Sequence, residues 1–300
     1  MFSQPYKKQV ALLLNVLPEI AKEDCFALHG GTAINFYYRD MPRLSIDIDL
    51  TYVPIENRLE SLRNIKSSLQ HIKERLEKVI PNARLEHQHE SSRILVSLAD
   101  SNIKIEVNQI RRGVLGKPSK LPLRDAVQDE FSVFCEMPIV PHGQLYGGKI
   151  CAALDRQHPR DLFDVKYLLD DEGFTEEIKT GFLLGLVSSN RPISEIIAPN
   201  FLNQRELLEY SFEGMSEEPF TYEDFEGTRE RLVSTIHKNL TDIDKEFLLS
   251  VKNATPDWSV HNFEKFPAVQ WKLHHLQKLR DANPEKFKEQ YDRLKRELTT

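Results

Sequence analysis

The sequence predicts an α+β fold, with a mixed sheet and its helices over residues 1–165 and a mainly helical domain over residues 166–300. Three observations carry this. Short segments alternate strictly between apolar and polar residues, the period of a half-buried strand, and they fall before residue 165. Segments with apolar residues at helical spacing are interleaved with them there and dominate afterwards. The hydrophobic content of 40% suits a sizeable core, while the apolar runs fall far short of the roughly 18 residues that a membrane span needs.

The elements follow in order. Residues 8–20 have helical spacing. The run Cys25-Phe26-Ala27-Leu28-His29 is short and mostly apolar and leads into Gly30-Gly31-Thr32, after which residues 33–38 read as a short helix capped by Thr32. Paired glycines let a backbone approach a ligand closely, and unpaired N–H groups at a helix start favour an anion such as a triphosphate. A tight turn alone needs the same glycines. In residues 44–51, Leu44, Ile46, Ile48 and Leu50 hold one parity and Ser45, Asp47, Asp49 and Thr51 the other. Side chains at i and i+2 of a strand share a face about 6–7 Å apart, so both carboxylates point the same way. Asp is depleted in strands and like charges repel, so the pair costs stability unless neutralised, and a divalent cation would neutralise it. The solvated face of an antiparallel strand has the same parity.

Residues 57–80 are helix-like. Residues 93–99 and 103–108 read as a hairpin about the turn Asp100-Ser101-Asn102, with Lys104, Glu106 and Asn108 facing away from its apolar side. If this strand lies beside residues 44–51, Glu106 joins the two aspartates, and three carboxylates can hold two hard cations. An exposed glutamate beside Lys104 is the alternative. Arg111, Arg112, Lys117, Lys120 and Arg124 precede the next acid, Asp125, and read as a mobile basic loop, either solvated or meeting phosphate. A further strand is expected at 131–135. Residues 145–154 read as a helix with Lys149, Ala152, Ala153 and Arg156 on one side, where the alanines would let another element approach closely. Pro159 then suits a first turn and Asp161 the positive end of the next helix. An ordinary surface lysine and a dipole-favoured acid account for Lys149 and Asp161 without any active site. Further helices are expected at 176–188, 204–210, 228–239, 242–252 and 266–279, with the six carboxylates of 213–226 and residues 254–257 in connectors, and a solvated, charge-rich helix at 284–298.

The net charge of −6 excludes nucleic-acid binding driven by overall charge, though not by a local patch. Three widely spaced cysteines in apolar neighbourhoods exclude a disulfide framework or a zinc site. The first residues lack a signal-peptide layout, which makes the cytoplasm the expected location.

The order Gly30-Gly31-Thr32, Asp47-Ile48-Asp49 and Glu106 on a later strand resembles the nucleotidyltransferase fold of DNA polymerase β and its relatives. More narrowly, Gly31-Thr32-Ala33, Arg43-Leu44-Ser45-Ile46-Asp47-Ile48-Asp49, Lys104-Ile105-Glu106-Val107-Asn108, Lys149 and Arg160-Asp161-Leu162-Phe163-Asp164 together resemble the AbiEii/AbiGii toxin family, which includes the MenT toxins. The resemblance implies that Gly30, Gly31 and Thr32 hold a nucleoside triphosphate and that Asp47 and Asp49 bind magnesium, with two ions expected. It implies Glu106 as the third acid and metal ligand, Lys149 as a phosphate contact, and Asp161 as the acid of a fourth motif. Glu106 departs from the Asp of many polymerase-like enzymes by one methylene. The implied activity is transfer of a nucleoside monophosphate from a triphosphate to an acceptor hydroxyl. The implied context is the toxin of a type IV-like toxin–antitoxin or abortive-infection system, with an RNA such as tRNA as acceptor, a separately encoded antitoxin as partner and no membrane. A small-molecule acceptor, as in aminoglycoside nucleotidyltransferases, and a module that binds nucleotide or RNA without turnover are the alternatives. The intact Asp47, Asp49 and Glu106 speak against the second.

Overall fold

The computed structural model describes residues 2–299. The chain forms two compact units, Met1–Pro141 with Phe212–Pro219, and His142–Ser211 with Phe220–Thr300.

The first unit runs α1 (Gln4–Ile20), β1 (Phe26–His29), α2 (Gly30–Ala33) continued by one π-helical turn (Ile34–Tyr38), β2 (Asp47–Tyr52), α3 (Arg58–Val79), β3 (Arg84–Gln88), β4 (Arg93–Leu98), β5 (Ser101–Val107), β6 (Ser119–Pro122), α4 (Asp125–Phe131) and β7 (Glu136–Ile139). The strands form one mixed sheet in the order β3-β4-β5-β2-β1-β7-β6. Parallel pairing joins β2 to β5 and β1 to β7, and the other pairs are antiparallel. Alternation decides which face is covered. Ile48 and Leu50 of β2, Ile94 and Val96 of β4, and Ile103, Ile105 and Val107 of β5 are buried, while α1 packs on β5 and β7 and α3 on β3 and β4. Burying each such side chain contributes about 1.5–3 kcal/mol. Helix α3 is fixed at its start by Asn57, whose Oδ1 accepts the Glu60 N–H at 2.9 Å. The opposite parity of β2 and β5, carrying Asp47, Asp49, Lys104 and Glu106, stays half-buried.

Four local expectations change. Thr32 is no cap: α2 starts at Gly30, with His29 in the N-cap position, and Thr32 lies inside the helix. Strand β2 starts at Asp47, because Leu44 N–H donates to the Met215 carbonyl at 2.7 Å and Arg43 bridges to Ser216, drawing residues 43–44 off the sheet line. The strand expected at 131–135 is displaced to β7, since α4 runs to Phe131 and Ser132 turns it off in the left-handed region (φ 51°). The basic segment is no mobile loop: Arg112 is buried, Lys120 lies on β6 and pairs with Glu136 at 3.3 Å, and Arg124 pairs with Asp40 at 2.8 Å.

The second unit is helical: α5 (His142–Arg156), α6 (Pro159–Asp171), α7 (Glu176–Ser188), α8 (Ile193–Ile197), α9 (Arg205–Ser211), α10 (Tyr222–Asn239), α11 (Asp242–Lys252), α12 (Pro267–Ala282) and α13 (Pro284–Thr299). Helices α5 and α7 approach so closely at Gly143, Gly147 and Gly181 that a Cβ on any of them would overlap the other helix's backbone. These glycines make the close contact of α5 with α7. It also ties α5 to the helices of the second unit, which begins at His142. Thr221 with Asp224 and Thr241 with Asp244 form capping boxes that start α10 and α11. Glu223, Asp224 and Glu226 therefore belong to the first turns of α10 and not to a connector. Helix α13 is solvated on one side only, since Phe287, Leu294 and Leu298 form a buried stripe at helical spacing.

Candidate active site

Across the parallel pair β2–β5, Asp47 stands in register with Lys104 and Asp49 with Glu106, and His29 at the end of β1 is opposite Asp49. In-register neighbours project to one face of a sheet, so the acids and Lys104 share a face. The turn after β1 closes on this face. Gly30 has φ +76°, and a Cβ there would meet Asp49 Oδ2 at 2.6 Å. A Cβ on Gly31 would meet Arg43 Nη2 at 2.6 Å and Ser45 Oγ at 3.0 Å. The φ of Gly30 favours glycine, and both glycines admit the close approach of the turn to the Asp49 and Arg43 side chains, before any ligand is considered. Thr32 Oγ1 is fully buried, 3.0 Å from Ser45 Oγ and 2.5 Å from the Asp47 carbonyl. Asn35 Nδ2 donates to the Gly31 carbonyl at 2.9 Å, and buried Arg43 donates to the Leu44 carbonyl at 2.8 Å. These bonds fix the backbone under both the glycine turn and Asp47.

The third acid has cationic partners of its own. Glu106 accepts from Arg93 Nη2 at 2.9 Å and from Lys104 Nζ at 2.8 Å, and Lys104 Nζ is also 4.0 Å from Asp47 Oδ1. Burial pushes the Glu106 pKa up, but the hydrogen bonds and charges of Lys104 and Arg93 outweigh it and hold the carboxyl below its ordinary value. The protein's own cations therefore relieve part of the repulsion that the sequence assigned to a divalent ion.

Lys149 and Asp161 meet in the second unit. Lys149 Nζ lies 2.9 Å from Asp161 Oδ1 and 3.0 Å from Asp164 Oδ2, and Arg156 Nε donates to Asp161 Oδ2 at 2.6 Å. Helix α6 starts at Pro159, with His158 Nδ1 accepting the Arg160 N–H at 3.1 Å, which puts Asp161 in the first turn and Asp164 one turn on. Lys149 is 6% exposed and Asp161 1%, so the surface-lysine reading does not hold. Burial pushes the Asp161 pKa up, but the Lys149 charge and the Arg156 bond and charge outweigh it and hold the carboxyl well below the usual carboxylate range.

A sequence profile described as "Nucleotidyl transferase AbiEii toxin, Type IV TA system" matches residues 11–275. The chain belongs to the AbiEii family. Among solved structures it is similar to MenT4, a nucleotidyltransferase toxin from Mycobacterium tuberculosis H37Rv, with a TM-score of 0.58 and 12% identity over 91% of this chain and 93% of that one. At that identity the likeness is one of fold. A search of curated protein sequences finds no match.

In this AbiEii-family chain, Asp47 and Asp49 offer carboxylate oxygens from one strand face. Those are the hard donors that magnesium takes, typically one or two carboxylates with water and substrate phosphates completing its shell. The pair fits that ion. Glu106 does not join it as placed, because its carboxylate is engaged by Lys104 and Arg93, and among the described residues no group of three or more His, Cys, Asp or Glu stands as a metal site. Sequence reasoning missed Arg93, Arg43 and Asp164 as partners of the candidate residues. Lys104 was legible by its shared parity with Glu106. Arg93 was not, since its pairing opposite Glu106 depends on the β4–β5 register.

Proposed function

We propose that this chain is a metal-dependent nucleotidyltransferase. It moves a nucleoside monophosphate from a nucleoside triphosphate to an acceptor hydroxyl of an RNA such as tRNA, in the cytoplasm, as the toxin of a type IV-like pair whose antitoxin is a separate protein. The observation that carries this reading is the pair Asp47 and Asp49 on one face of β2, with the Gly30–Gly31 turn closed against Asp49, in an AbiEii-family chain.

Asp47 and Asp49 would hold magnesium, as two ions in the full arrangement. Bound there, it lowers the pKa of the acceptor hydroxyl and offsets the charge on the departing pyrophosphate. Gly30, Gly31 and Thr32 form the nucleotide-binding turn: the glycines keep side chains out of the space beside Asp49, and Thr32 holds the Asp47 backbone in place. Glu106 is the third acid of the face, and its bonds to Lys104 and Arg93 set where those cations stand. Lys149 uses two of its three ammonium hydrogens on Asp161 and Asp164, and the third is the donor it offers to a phosphate. Asp161 orients that lysine.

The test is incubation of the purified chain with each α-labelled nucleoside triphosphate, magnesium and total tRNA. Label on RNA with stoichiometric pyrophosphate release is expected, and neither with Asp49→Asn. Label on an aminoglycoside but not on RNA would establish the small-molecule reading instead. Nucleotide binding with no pyrophosphate released under any acceptor would establish a silent module, the reading that the ion-paired Glu106 favours.

A further inference from the structure

The second unit contains a cavity that the transfer reading does not use. It measures about 450 Å³ and lies among the start of α8, the end of α11, and helices α12 and α13. That size falls in the range of small-molecule sites. Ile193, Leu276, Leu279 and the Trp271 ring give it apolar walls, and Trp271 is left 43% exposed there.

Lys252, the last residue of α11, also lines the cavity and is only 4% exposed. Its Nζ donates to Gln290 Oε1 at 2.8 Å and stands 4.9 Å from the centroid of the Phe287 ring. Neither neighbour carries a negative charge. No acid among the described residues lines the cavity, and burial pushes the pKa of this ammonium down to about 8. A lysine is almost never buried without a counter-charge, because desolvation of the ion goes uncompensated.

The other two cations at the cavity are already engaged. Lys272 Nζ donates to the carbonyls of Leu186 at 3.2 Å, Ser189 at 2.8 Å and Arg191 at 2.9 Å, which caps the C-terminal end of α7. Arg191 pairs with Asp155 at 2.7 Å and with Glu195 at 3.5 Å. Lys272 thus spends its three hydrogens on carbonyls, whereas Lys252 spends one on Gln290 and has two left to donate, beside apolar walls and an open indole ring.

We propose that this cavity binds an organic monoanion with a flat or aliphatic apolar body, its acid group taken by Lys252 and its body lying on Trp271 and Leu279. A single ammonium with hydrogens left to donate suits one acid group and not a nucleoside triphosphate, which would need several cations. Ile193, Trp271, Leu276 and Leu279 offer area to a hydrocarbon or ring. The site lies wholly in the second unit and uses none of the transfer residues.

The probe pair is 8-anilinonaphthalene-1-sulfonate, an aromatic monoanion, and N-phenyl-1-naphthylamine, the same ring system without the acid. Both are titrated into the full chain, with emission excited through the two tryptophans. The sulfonate binds saturably with one-to-one stoichiometry and tighter than the neutral probe. Lys252→Met, which keeps the bulk of the side chain, weakens the sulfonate by about tenfold or more and leaves the neutral probe unchanged. Lys252→Arg retains the sulfonate. Equal sulfonate affinity in Lys252→Met and wild type overturns the proposal, as does a neutral probe that binds wild type as tightly as the anion. Should circular dichroism show Lys252→Met unfolded, Trp271→Ala decides, because that ring is 43% exposed and carries no charge, with circular dichroism again reporting the fold. It weakens both probes, and unchanged affinity for both overturns the site.

Discussion

Two clusters in this chain have the same composition, one lysine, two carboxylates and an arginine, and opposite surroundings. On β2 and the β4–β5 pair, Lys104 stands with Asp47, Glu106 and Arg93, each about a third exposed, with side-chain values from 31% to 36%. On α5 and α6, Lys149 stands with Asp161, Asp164 and Arg156, and only the arginine reaches solvent. Half-exposed charges keep much of their hydration, so each can be exchanged for water, a cation or a phosphate at little cost to the fold. Buried charges have only each other, so removing one strands its partner. The first cluster is suited to bind, and the second binds only while it also holds two helices together.

The largest effect follows from that difference. Lys149→Met should lower the unfolding free energy by about 3–5 kcal/mol, the usual consequence of breaking a buried pair from one side. Lys104→Met should change it by less than about 1 kcal/mol. Urea melts of the two variants measure both, and equal losses would break the comparison. The phosphate role of Lys149 must then be read as nucleotide affinity on variant protein shown to be folded.

Next in size is the loss of transfer in Asp47→Asn and Asp49→Asn. Removing a carboxylate that holds the ion should cost about 10³-fold in turnover, some 4 kcal/mol, with the melting temperature held within about 2 °C. Stability unchanged and activity lost is the signature of the exposed cluster. A variant that loses both would move the aspartates into the structural class. Gly30→Ala is intermediate, since φ +76° and a Cβ 2.6 Å from Asp49 Oδ2 demand both backbone strain and a displaced carboxylate. It should lose about 1–3 kcal/mol of stability together with activity, read on the same melts and transfer assay.

Acid titration sharpens the contrast. Asp161 is held below its ordinary value of 3.8, so its contribution is complete above that value and is lost as the pH falls through it and beyond. The stability gap between wild type and Asp161→Asn should therefore be constant from pH 7 to about 5 and narrow below about pH 4, measured by urea midpoints. A gap that widens on acidification would reverse the sign of the argument.

Much of the exposed cluster is legible in the sequence, because strand parity is local: the alternation around Asp47 and Asp49, the glycines before them, and the shared parity of Lys104 with Glu106 all lie within short windows. The neighbouring of β2 and β5 was a condition that the sequence posed and only the sheet order meets. The buried cluster was not legible. Lys149 has ordinary helical spacing, and its burial goes with its pairing to Asp161 and Asp164 of α6, a tertiary contact that has no periodic signal. Thr32 misled because a threonine beside a glycine turn is also the usual helix cap, whereas here its hydroxyl reaches across to Ser45 and the Asp47 carbonyl.

Glu106 gives the smallest expected effect and the sharpest test, since it belongs to the exposed cluster while its pairing imitates the buried one. In Glu106→Gln the charge that draws Lys104 is gone, and Lys104 Nζ, already 4.0 Å from Asp47 Oδ1, is free to settle on Asp47. A lysine there competes with magnesium for the same carboxylate. Stability should change by less than about 1 kcal/mol, and triphosphate affinity at saturating magnesium should not change. Turnover at saturating magnesium should fall by less than about tenfold, while the magnesium concentration for half-maximal transfer rises by roughly three- to tenfold, a shift of about 1 kcal/mol. The double variant Lys104→Met with Glu106→Gln removes the competitor and should restore the magnesium requirement, a non-additivity that two independent residues would not show. If Glu106 is instead a metal ligand, as the family's third acid position implies, its carboxylate must leave Lys104 and Arg93 during the reaction. Glu106→Gln then loses about 10³-fold at every magnesium concentration, as Asp49→Asn does, and the double variant rescues nothing.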